Sequence, residues 1–418
     1  MSRPCACALA LGLWLIASAI GCESHAEADA PAARDDRDDH LLASGVPDDA
    51  PLPHFQIGLL DLAFEICSAI PAQPHIKDRS AAQESVVAAC LALDQPRRAR
   101  DLIERIEDWH RGVAYADLAF HCARHGAPEE ALRLVQVAAD IADVNEDWRR
   151  DRIRVRIART LAWLGDADQA ALYEHGVAAS EAGQVDAVLA MRLDERNFDE
   201  FMRSLDAIIA TGEFEPVRHA LEACVQLYNR FYDDADRRSL ILDKIRSSWN
   251  VLPVIIRLDL MAALIEVARA RGDRQTALAL ADAAHEHMEN YTWDAEYEVP
   301  LLARIARLRG SAGDHERARR DADRALAAYE AGRDTIMMIF RPEALLPVAE
   351  AYHALGDRDA ALEVYRRVIE ESVVTANSRP RAQDLAAACL SMAAHGFEPD
   401  DELWRLLRRH REELGDPW

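Results

Sequence analysis

The residues best suited to chemistry are arginines and a tryptophan that recur at helical spacing. Between residues 149 and 163 they follow one another at intervals of three and four, so they fall on one side of a helix. The members of this stripe are Arg149, Arg152, Arg156, Arg159 and Trp163. Guanidinium groups donate paired hydrogen bonds to carboxylates. The stripe therefore predicts a surface for an acidic peptide, a free carboxylate or an anionic glycan.

A second interpretation of the stripe is structural. The chain is acidic, with 73 Asp and Glu residues against 49 Lys and Arg residues. Glu146, Asp147 and Asp151 lie beside the arginines in sequence and offer internal salt-bridge partners. The sequence leaves ligand binding and an internal ion-pair network both open.

Metal binding was considered at His121 and His125, which share one helical face and have Cys122 beside them. Two ligands do not make a site, and the sequence indicates no third ligand nearby. A histidine beside the turn at Gly126 is also well placed to meet the carboxyl end of a helix. We therefore predict no metal and no cofactor.

An enzymatic alternative depends on a cluster of aromatic and acidic residues, because glycosidases need paired carboxylates. The cluster consists of Tyr291, Trp293, Asp294, Glu296, Tyr297 and Glu298. It falls in a predicted loop, and the sequence places no second carboxylate opposite it. We predict no catalytic residues, and a glycan-active hydrolase of the cell envelope is the alternative.

The elements that must position these residues follow from a repeated turn. Its clearest copies are Gly126, Gly165, Gly272, Gly313 and Gly356, followed five residues later by Ala131, Ala170, Ala277, Ala318 and Ala361. Asp94 with Ala99 is an earlier variant. Glycine tolerates the left-handed conformation that ends a helix, and alanine lets the next helix approach closely. We predict an all-α fold, an α-solenoid of antiparallel helix pairs.

The repeat resembles the tetratricopeptide (TPR) family, which carries Leu and a small residue eight and seven places before the turn glycine. Leu118 with Ala119 is the clearest match, and the resemblance covers about residues 80–395. It implies that the first helix of each repeat lines an inner groove. Five residues fall on groove positions of the family: Phe120, Arg124, Arg152, Arg159 and Trp163. The turn spacings, from 32 to 60 residues, exceed the family's usual period in most repeats, so HEAT-like pairing is the alternative.

The period divides the predicted solenoid into sections. Residues 54–211 and 272–395 carry TPR-like repeats, and 212–271 form an irregular helical segment with an extra helix around 234–249. Residues 396–418 form an amphipathic capping helix, as the end of a solenoid requires. Five cysteines follow residue 22, and we predict that they are free and buried: Cys67, Cys90, Cys122, Cys224 and Cys389.

The first 22 residues predict a signal peptide. Arg3 precedes an apolar stretch of 14 residues, which is too short to span a bilayer core of about 20 residues. The closing residues 19–22 resemble the lipobox of bacterial lipoproteins, and this resemblance implies lipidation at Cys22. Residues 23–53 then form a predicted disordered acidic tether. We expect a lipid-anchored, periplasm-facing protein of the cell envelope, with a secreted or soluble periplasmic protein as the alternative.

The overall charge limits the class of partner. A net charge of −24 argues against nucleic acid as a partner, because the summed field repels a phosphate backbone. A solenoid displays surface and implies no single reaction. The sequence therefore predicts protein interaction or scaffolding, with a protein or acidic peptide as partner.

Overall fold

The computed structural model describes residues 45–178, 181 and 183–418. This part of the chain folds into 19 α-helices. In chain order they are α1 (His54–Ala69), α2 (Ala72–Ala92), α3 (Pro96–Ile103), α4 (His110–Arg124), α5 (Pro128–Asp143), α6 (Asp147–Leu164), α7 (Ala167–Glu174), α8 (Gln184–Arg192), α9 (Phe198–Ile209), α10 (Phe214–Arg230), α11 (Ala235–Ser248), α12 (Val254–Ala270), α13 (Arg274–Glu289), α14 (Ala295–Ser311), α15 (His315–Gly332), α16 (Arg341–Ala354), α17 (Arg358–Ser372), α18 (Ser378–His395) and α19 (Asp401–Glu412). The predicted signal peptide, Cys22 and residues 23–44 of the predicted tether lie outside the described residues.

The repeated turns behave as their sequence predicts. The glycines at these turns have positive φ angles of 73–91°, and Asp94 has a φ of 53° at the equivalent place. The alanine five residues after each turn is at most 2% exposed. The residue after several of the glycines is an aspartate that caps the next helix. Asp273, for example, accepts a hydrogen bond from the Thr276 amide at 3.0 Å. Glycine ends one helix and aspartate begins the next, so the prediction of antiparallel helix pairs is confirmed.

The helix pairs form two layers. The even-numbered helices from α2 to α18 pack side by side in sequence, and the odd-numbered helices pack chiefly against these even-numbered ones. In a curved solenoid, the helices that contact the equivalent helix of each adjacent pair lie at the smaller radius. The even-numbered helices are therefore the inner layer. This agrees with the groove side that the family resemblance implies for the first helix of each pair.

The two ends of the solenoid meet, which the sequence did not predict. The first helix, α1, packs along α18 as the outer member of the last pair, and α18 also contacts α2. The Gln56 side chain donates a buried hydrogen bond to the Ala393 carbonyl at 2.7 Å. Arg379 donates to Asp78 at 3.0 Å across the same junction. The inner layer is consequently a closed circle rather than an open superhelix.

The closure changes the role of the last helix. Leu403 and Leu407 of α19 are fully buried, as the predicted amphipathic pattern requires. However, α19 packs against α17 and α18, and its Trp404 ring lies beside Gly58 of α1. The C-terminal helix therefore covers the junction between the two ends and does not cap a free end of a stack.

Two other boundaries differ from the sequence interpretation. Residues 45–53, assigned to the disordered tether, lie against the first repeats. Val46 is 3% exposed, and the Ala50 amide donates to the Asp94 carbonyl at 2.8 Å. Composition could not show this, because two apolar residues, Val46 and Leu52, and a few hydrogen bonds to the turn after α2 and the start of α3 hold the segment.

In the irregular region, the turn at Gly212 leads from the outer helix α9 to the inner helix α10, whereas the repeated turns lead from an inner helix to an outer one. The predicted extra helix is α11.

Candidate functional site

An aromatic pair joins two inner helices at the centre of the candidate site. The rings of Phe120 on α4 and Trp163 on α6 meet edge to face, with centroids 5.8 Å apart and an interplanar angle of 82°. The Trp163 indole N–H donates to the Ala123 carbonyl at 3.3 Å. Both rings are half-buried. This geometry fixes the rings without burying their faces completely.

Three arginines surround this aromatic pair. The guanidinium carbon of Arg159 lies 4.2 Å from the Phe120 ring centroid. Arg124 lies 5.8 Å from the Phe120 centroid and 5.9 Å from the Trp163 centroid. Arg192 approaches Trp163 from α8, with a separation of 5.3 Å. Sequence analysis did not identify Arg192 as part of this site, because the irregular spacing of turns after Gly165 did not indicate where the next inner helix lies.

The other half of the stripe lies against a second pair of rings. Trp109 and Trp148 meet edge to face at 5.0 Å. The Arg149 guanidinium lies 5.7 Å from the Trp148 ring, and Arg152 lies 5.5 Å from the same ring and 5.9 Å from Trp109. Arg156 stands between the two groups, and one of its Nη atoms donates to the Arg152 carbonyl at 3.0 Å. We call all of these residues the arginine–aromatic face. Its members are Trp109, Phe120, Arg124, Trp148, Arg149, Arg152, Arg156, Arg159, Trp163 and Arg192.

Some of these arginines are neutralised by carboxylates within the chain. Arg159 donates to Asp117 at 2.7 Å, and the Nε of Arg156 lies 3.3 Å from the same carboxylate oxygen. The Nε of Arg152 donates to Glu181 at 3.2 Å. These partners differ from the Glu146, Asp147 and Asp151 that the sequence suggested. They belong to a neighbouring helix and to a loop, so sequence proximity could not identify them.

The remaining arginines have no such partner. Within residues 45–178, 181 and 183–418, no carboxylate lies within 4 Å of Arg124, Arg149 or Arg192. Arg124 and Arg192 are exposed and Arg149 is half-buried. Three of the four arginines of the stripe are therefore held by internal ion pairs, as the structural interpretation predicts. Of the six arginines on the arginine–aromatic face, these three are paired and the other three have no carboxylate partner.

A carboxyl group on α2 completes the polar surroundings. Burial raises the pKa of Glu84, and the charges of His110 and then Arg156 oppose that rise. The nearest His110 nitrogen is 4.0 Å from the Glu84 carboxylate. Burial also lowers the pKa of Arg159, and Asp117 opposes that change. The arginine–aromatic face is therefore partly desolvated, which strengthens charge interactions made on it.

The histidines considered for metal binding acquire a third neighbour. Cys122 is fully buried in the core and takes no part. Asp94, on the turn of the preceding pair, brings a carboxylate oxygen to 3.4 Å from Nε2 of His125. Burial, and then the charge of His125, lower the pKa of His121 to about 4. The sequence statement that no third ligand is nearby is therefore wrong, because Asp94 lies on a different repeat.

The aromatic and acidic cluster considered for glycan hydrolysis has structural partners. Asp294 immediately precedes α14, and Glu298 accepts a hydrogen bond from Arg324 at 3.2 Å. The Trp293 indole N–H donates to the Met288 carbonyl at 2.9 Å. These contacts stabilise the loop between α13 and α14 and the start of α14.

The structure confirms the prediction that the five cysteines are free and buried: Cys67, Cys90, Cys122, Cys224 and Cys389.

Among the described residues, none of the helices has the length and apolar character needed to cross a membrane.

No protein family matches this chain, and no curated protein matches its sequence. Among solved structures, it is similar to a circular tandem repeat protein with novel repeat topology and enhanced subunit contact surfaces, at 14% identity and a TM-score of 0.29. That match covers 86% of this chain and 95% of the other. It is also similar to Ton1535 from Thermococcus onnurineus NA1, at 16% identity and a TM-score of 0.23, covering 80% and 98%. Such scores carry no functional argument. The chain is a helical-repeat protein.

Proposed function

We propose that this protein is an interaction module that binds an acidic segment of a protein partner on the arginine–aromatic face. The observation that carries the proposal is the presence of three arginines without carboxylate partners on aromatic rings, in a chain of net charge −24. An acidic protein offers many internal partners, so arginines kept apart from them are available to an external carboxylate.

The geometry suits recognition of carboxylates by pre-ordered guanidinium groups. Stacking on a ring holds a guanidinium plane in place and leaves its N–H edge free to donate paired hydrogen bonds. A cation over an aromatic face at an exposed site is stabilised by about 0.5–1 kcal/mol. The arginines therefore lose less conformational freedom when a ligand binds. An extended acidic segment offers successive carboxylates to Arg124 and Arg192 at one end and to Arg149 at the other.

The location is a further part of the proposal. The lipobox-like sequence ending at Cys22 supports a lipid anchor at the cell envelope, and the turn pattern supports TPR-type repeats. Labelling cells with radioactive palmitate should mark the wild type and leave a Cys22→Ser variant unlabelled and released from the membrane fraction. Equal membrane association of both proteins would contradict the anchor and would leave the binding proposal to be judged by its own test.

The binding proposal is tested with a defined ligand. A short peptide of Asp and Glu should bind the purified protein, measured by calorimetry, and a matched peptide of Asn and Gln should not. Replacing Arg124 and Arg149 by Gln should weaken binding by about tenfold or more, because each charge-assisted hydrogen bond contributes about 1.5–3 kcal/mol. The control variant, Arg320→Gln with Arg405→Gln, removes the same charge from exposed positions elsewhere.

Two results would contradict the proposal. If neither peptide binds, the face does not recognise acidic segments. If both double variants weaken binding equally, attraction depends on overall charge and not on this surface. No observation in the described residues favours glycan hydrolysis, so we propose no second function.

A further inference from the structure

Three side chains that can hold a metal ion converge at the tips of the first two inner helices. Asp94 lies on the turn after α2, His121 lies on the last turn of α4, and His125 is the residue immediately after α4. Their donor atoms all lie within 4.8 Å of one another. The Nε2 of His125 is 3.4 Å from the nearer carboxylate oxygen of Asp94. The two imidazole rings stack with centroids 4.0 Å apart and an interplanar angle of 20°, so the His121 ring must rotate about its Cβ–Cγ bond before both rings direct a lone pair at one ion.

Hydrogen bonding fixes which nitrogen of His125 is available. Its Nδ1 lies 2.8 Å from the His121 carbonyl oxygen, which can only accept, so Nδ1 carries the proton. In the neutral ring, Nε2 then presents a lone pair to the Asp94 carboxylate. Two acceptors facing each other at 3.4 Å repel unless a proton or a cation lies between them. A backbone carbonyl on the remote nitrogen is also the usual support of a metal-binding histidine.

The turn at Asp94 differs from the later turns in the residue that occupies the left-handed position. Five later turns place glycine at this position with positive φ, whereas Asp94 adopts a φ of 53° with a side chain attached. Asp is one of the few non-glycine residues that adopt this left-handed conformation readily. Nothing in the turn itself requires a carboxylate. The presence of Asp instead of Gly at this turn places a carboxylate directly beside the two histidines of the next repeat.

Helix polarity favours a cation at the same place. His125 is the residue immediately after α4, and Asp94 follows the end of α2. The carboxyl ends of both helices therefore point their partial negative charge at this cluster. The end of α4 is exposed at His125, so an ion can enter from solvent.

We propose that Asp94, His121 and His125 form a binding site for one divalent transition-metal ion, with Zn²⁺ as the best-suited metal. Two imidazoles and a carboxylate are ligands that Zn²⁺ accepts, and tetrahedral bonds of about 2.0–2.1 Å place neighbouring ligand atoms about 3.3 Å apart. The separation of the Asp94 and His125 ligand atoms is already 3.4 Å. The ion ties the first turn to the second inner helix and keeps a fourth position open to solvent or to a partner.

The test is a metal titration of the full-length chain. Zn²⁺ should bind with a stoichiometry of one that disappears in an Asp94→Gly variant and in a His121→Gln, His125→Gln variant. Glycine is the residue that other repeats use at this turn, so Asp94→Gly should fold normally. Because removing even a supporting residue costs about 10–100-fold in affinity, removing a ligand should cost at least about tenfold. Co²⁺ should give the visible absorption of a tetrahedral site in the wild type only.

A matched control is present in the chain. His395 also precedes a turn glycine, its Nδ1 also meets the carbonyl four residues earlier, at 3.0 Å, and its Nε2 faces Glu350 at 3.8 Å. A second histidine, His353, lies beside it, but the Nε2 of His353 meets the His395 carbonyl oxygen at 3.0 Å, and among the described residues no three-ligand group forms there. His395→Gln should therefore bind Zn²⁺ as the wild type does. The proposal is overturned if Asp94→Gly binds Zn²⁺ as tightly as the wild type, or if the wild type shows no saturable binding. Either result would leave a simple ion pair between Asp94 and protonated His125.

Discussion

Arginines lie over aromatic rings in both halves of the circle, but the two halves differ in the carboxylate partners of those arginines. On α14, Arg309 is 5% exposed and donates to Asp282 at 2.9 Å and to Asp321. On α15, Arg324 contacts Glu289 and Glu298, and beyond that helix Arg333 donates to Glu371 at 2.6 and 3.1 Å. Among the described residues, Arg124, Arg149 and Arg192 on α4, α6 and α8 lie over aromatic rings and have no carboxylate within 4 Å.

This difference separates structural arginines from those available to a ligand. Both halves show arginines at helical spacing, so spacing alone does not distinguish them. What distinguishes them is whether the next helix supplies a carboxylate. In the C-terminal half, the ion pairs join one helix to another and are part of the packing. In the N-terminal half, half of the arginines on the face keep free donors, and the proposed binding depends on these donors.

The largest effect should come from breaking a buried pair in the C-terminal half. Arg309→Met removes the guanidinium between Asp282 and Asp321 and leaves the buried Asp321 carboxylate without its partner. We expect a loss of about 3–5 kcal/mol, measured by urea denaturation. The matched change Arg124→Met, at an exposed arginine of the other half, should alter stability by no more than about 0.5 kcal/mol. Similar losses from both variants would remove the distinction between the two halves.

The next effect should be shared by both halves, because it tests the common helix packing. Ala131 and Ala361 are fully buried, five residues after their turn glycines. Changing either to Leu should overpack the helix pair and cost about 1–3 kcal/mol, seen as a lower midpoint of thermal unfolding. Ala81→Leu, at an exposed position of α2, is the control and should be nearly neutral. A neutral result at Ala361 or Ala131 would show that close approach is not required there.

The smallest effect concerns acid sensitivity. Backbone hydrogen bonds lower the pKa of Asp273, through the Thr276 amide, and of Asp357, through the Ala360 amide. A carboxyl whose pKa is lower when folded stabilises the protein above its unfolded pKa of about 3.9, and that stability is lost as pH falls through the folded value. The turn at Gly126 continues with alanine and proline and offers no such carboxyl.

An Asp273→Asn variant tests this point, because Asn keeps the helix cap but does not titrate. Its unfolding midpoint should change less than that of the wild type as the pH falls below about 4. The wild type and the variant should differ little in slope above that pH. Parallel curves through the acid range would show that this cap does not contribute to acid sensitivity.

The local features were predictable, whereas those that join separate repeats were not. Gly272 and Ala277 identify a helix pair because the requirement for positive φ and for a small side chain is local. The stripe from Arg149 to Trp163 could be found because it lies on one helix. Sequence analysis did not identify Arg192, Asp117 and Asp94 as members of these sites. Each lies on a different helix or turn from the residues that it contacts, and the spacing of residues along the chain does not determine how one helix is rotated relative to the next. The closure of the inner layer into a circle depends on the same rotation between neighbouring helices, added up over all the repeats.

The central claim is that an acidic segment binds where arginines without carboxylate partners lie over aromatic rings. The most direct measurement is photo-crosslinking of an Asp- and Glu-rich peptide that carries a photoreactive group, with the attached residues identified by mass spectrometry. The account predicts crosslinks on α4, α6 and α8, around Phe120, Trp148 and Trp163, that an excess of unlabelled peptide removes. Crosslinks concentrated on α14 to α17, or spread evenly over the surface, would contradict it.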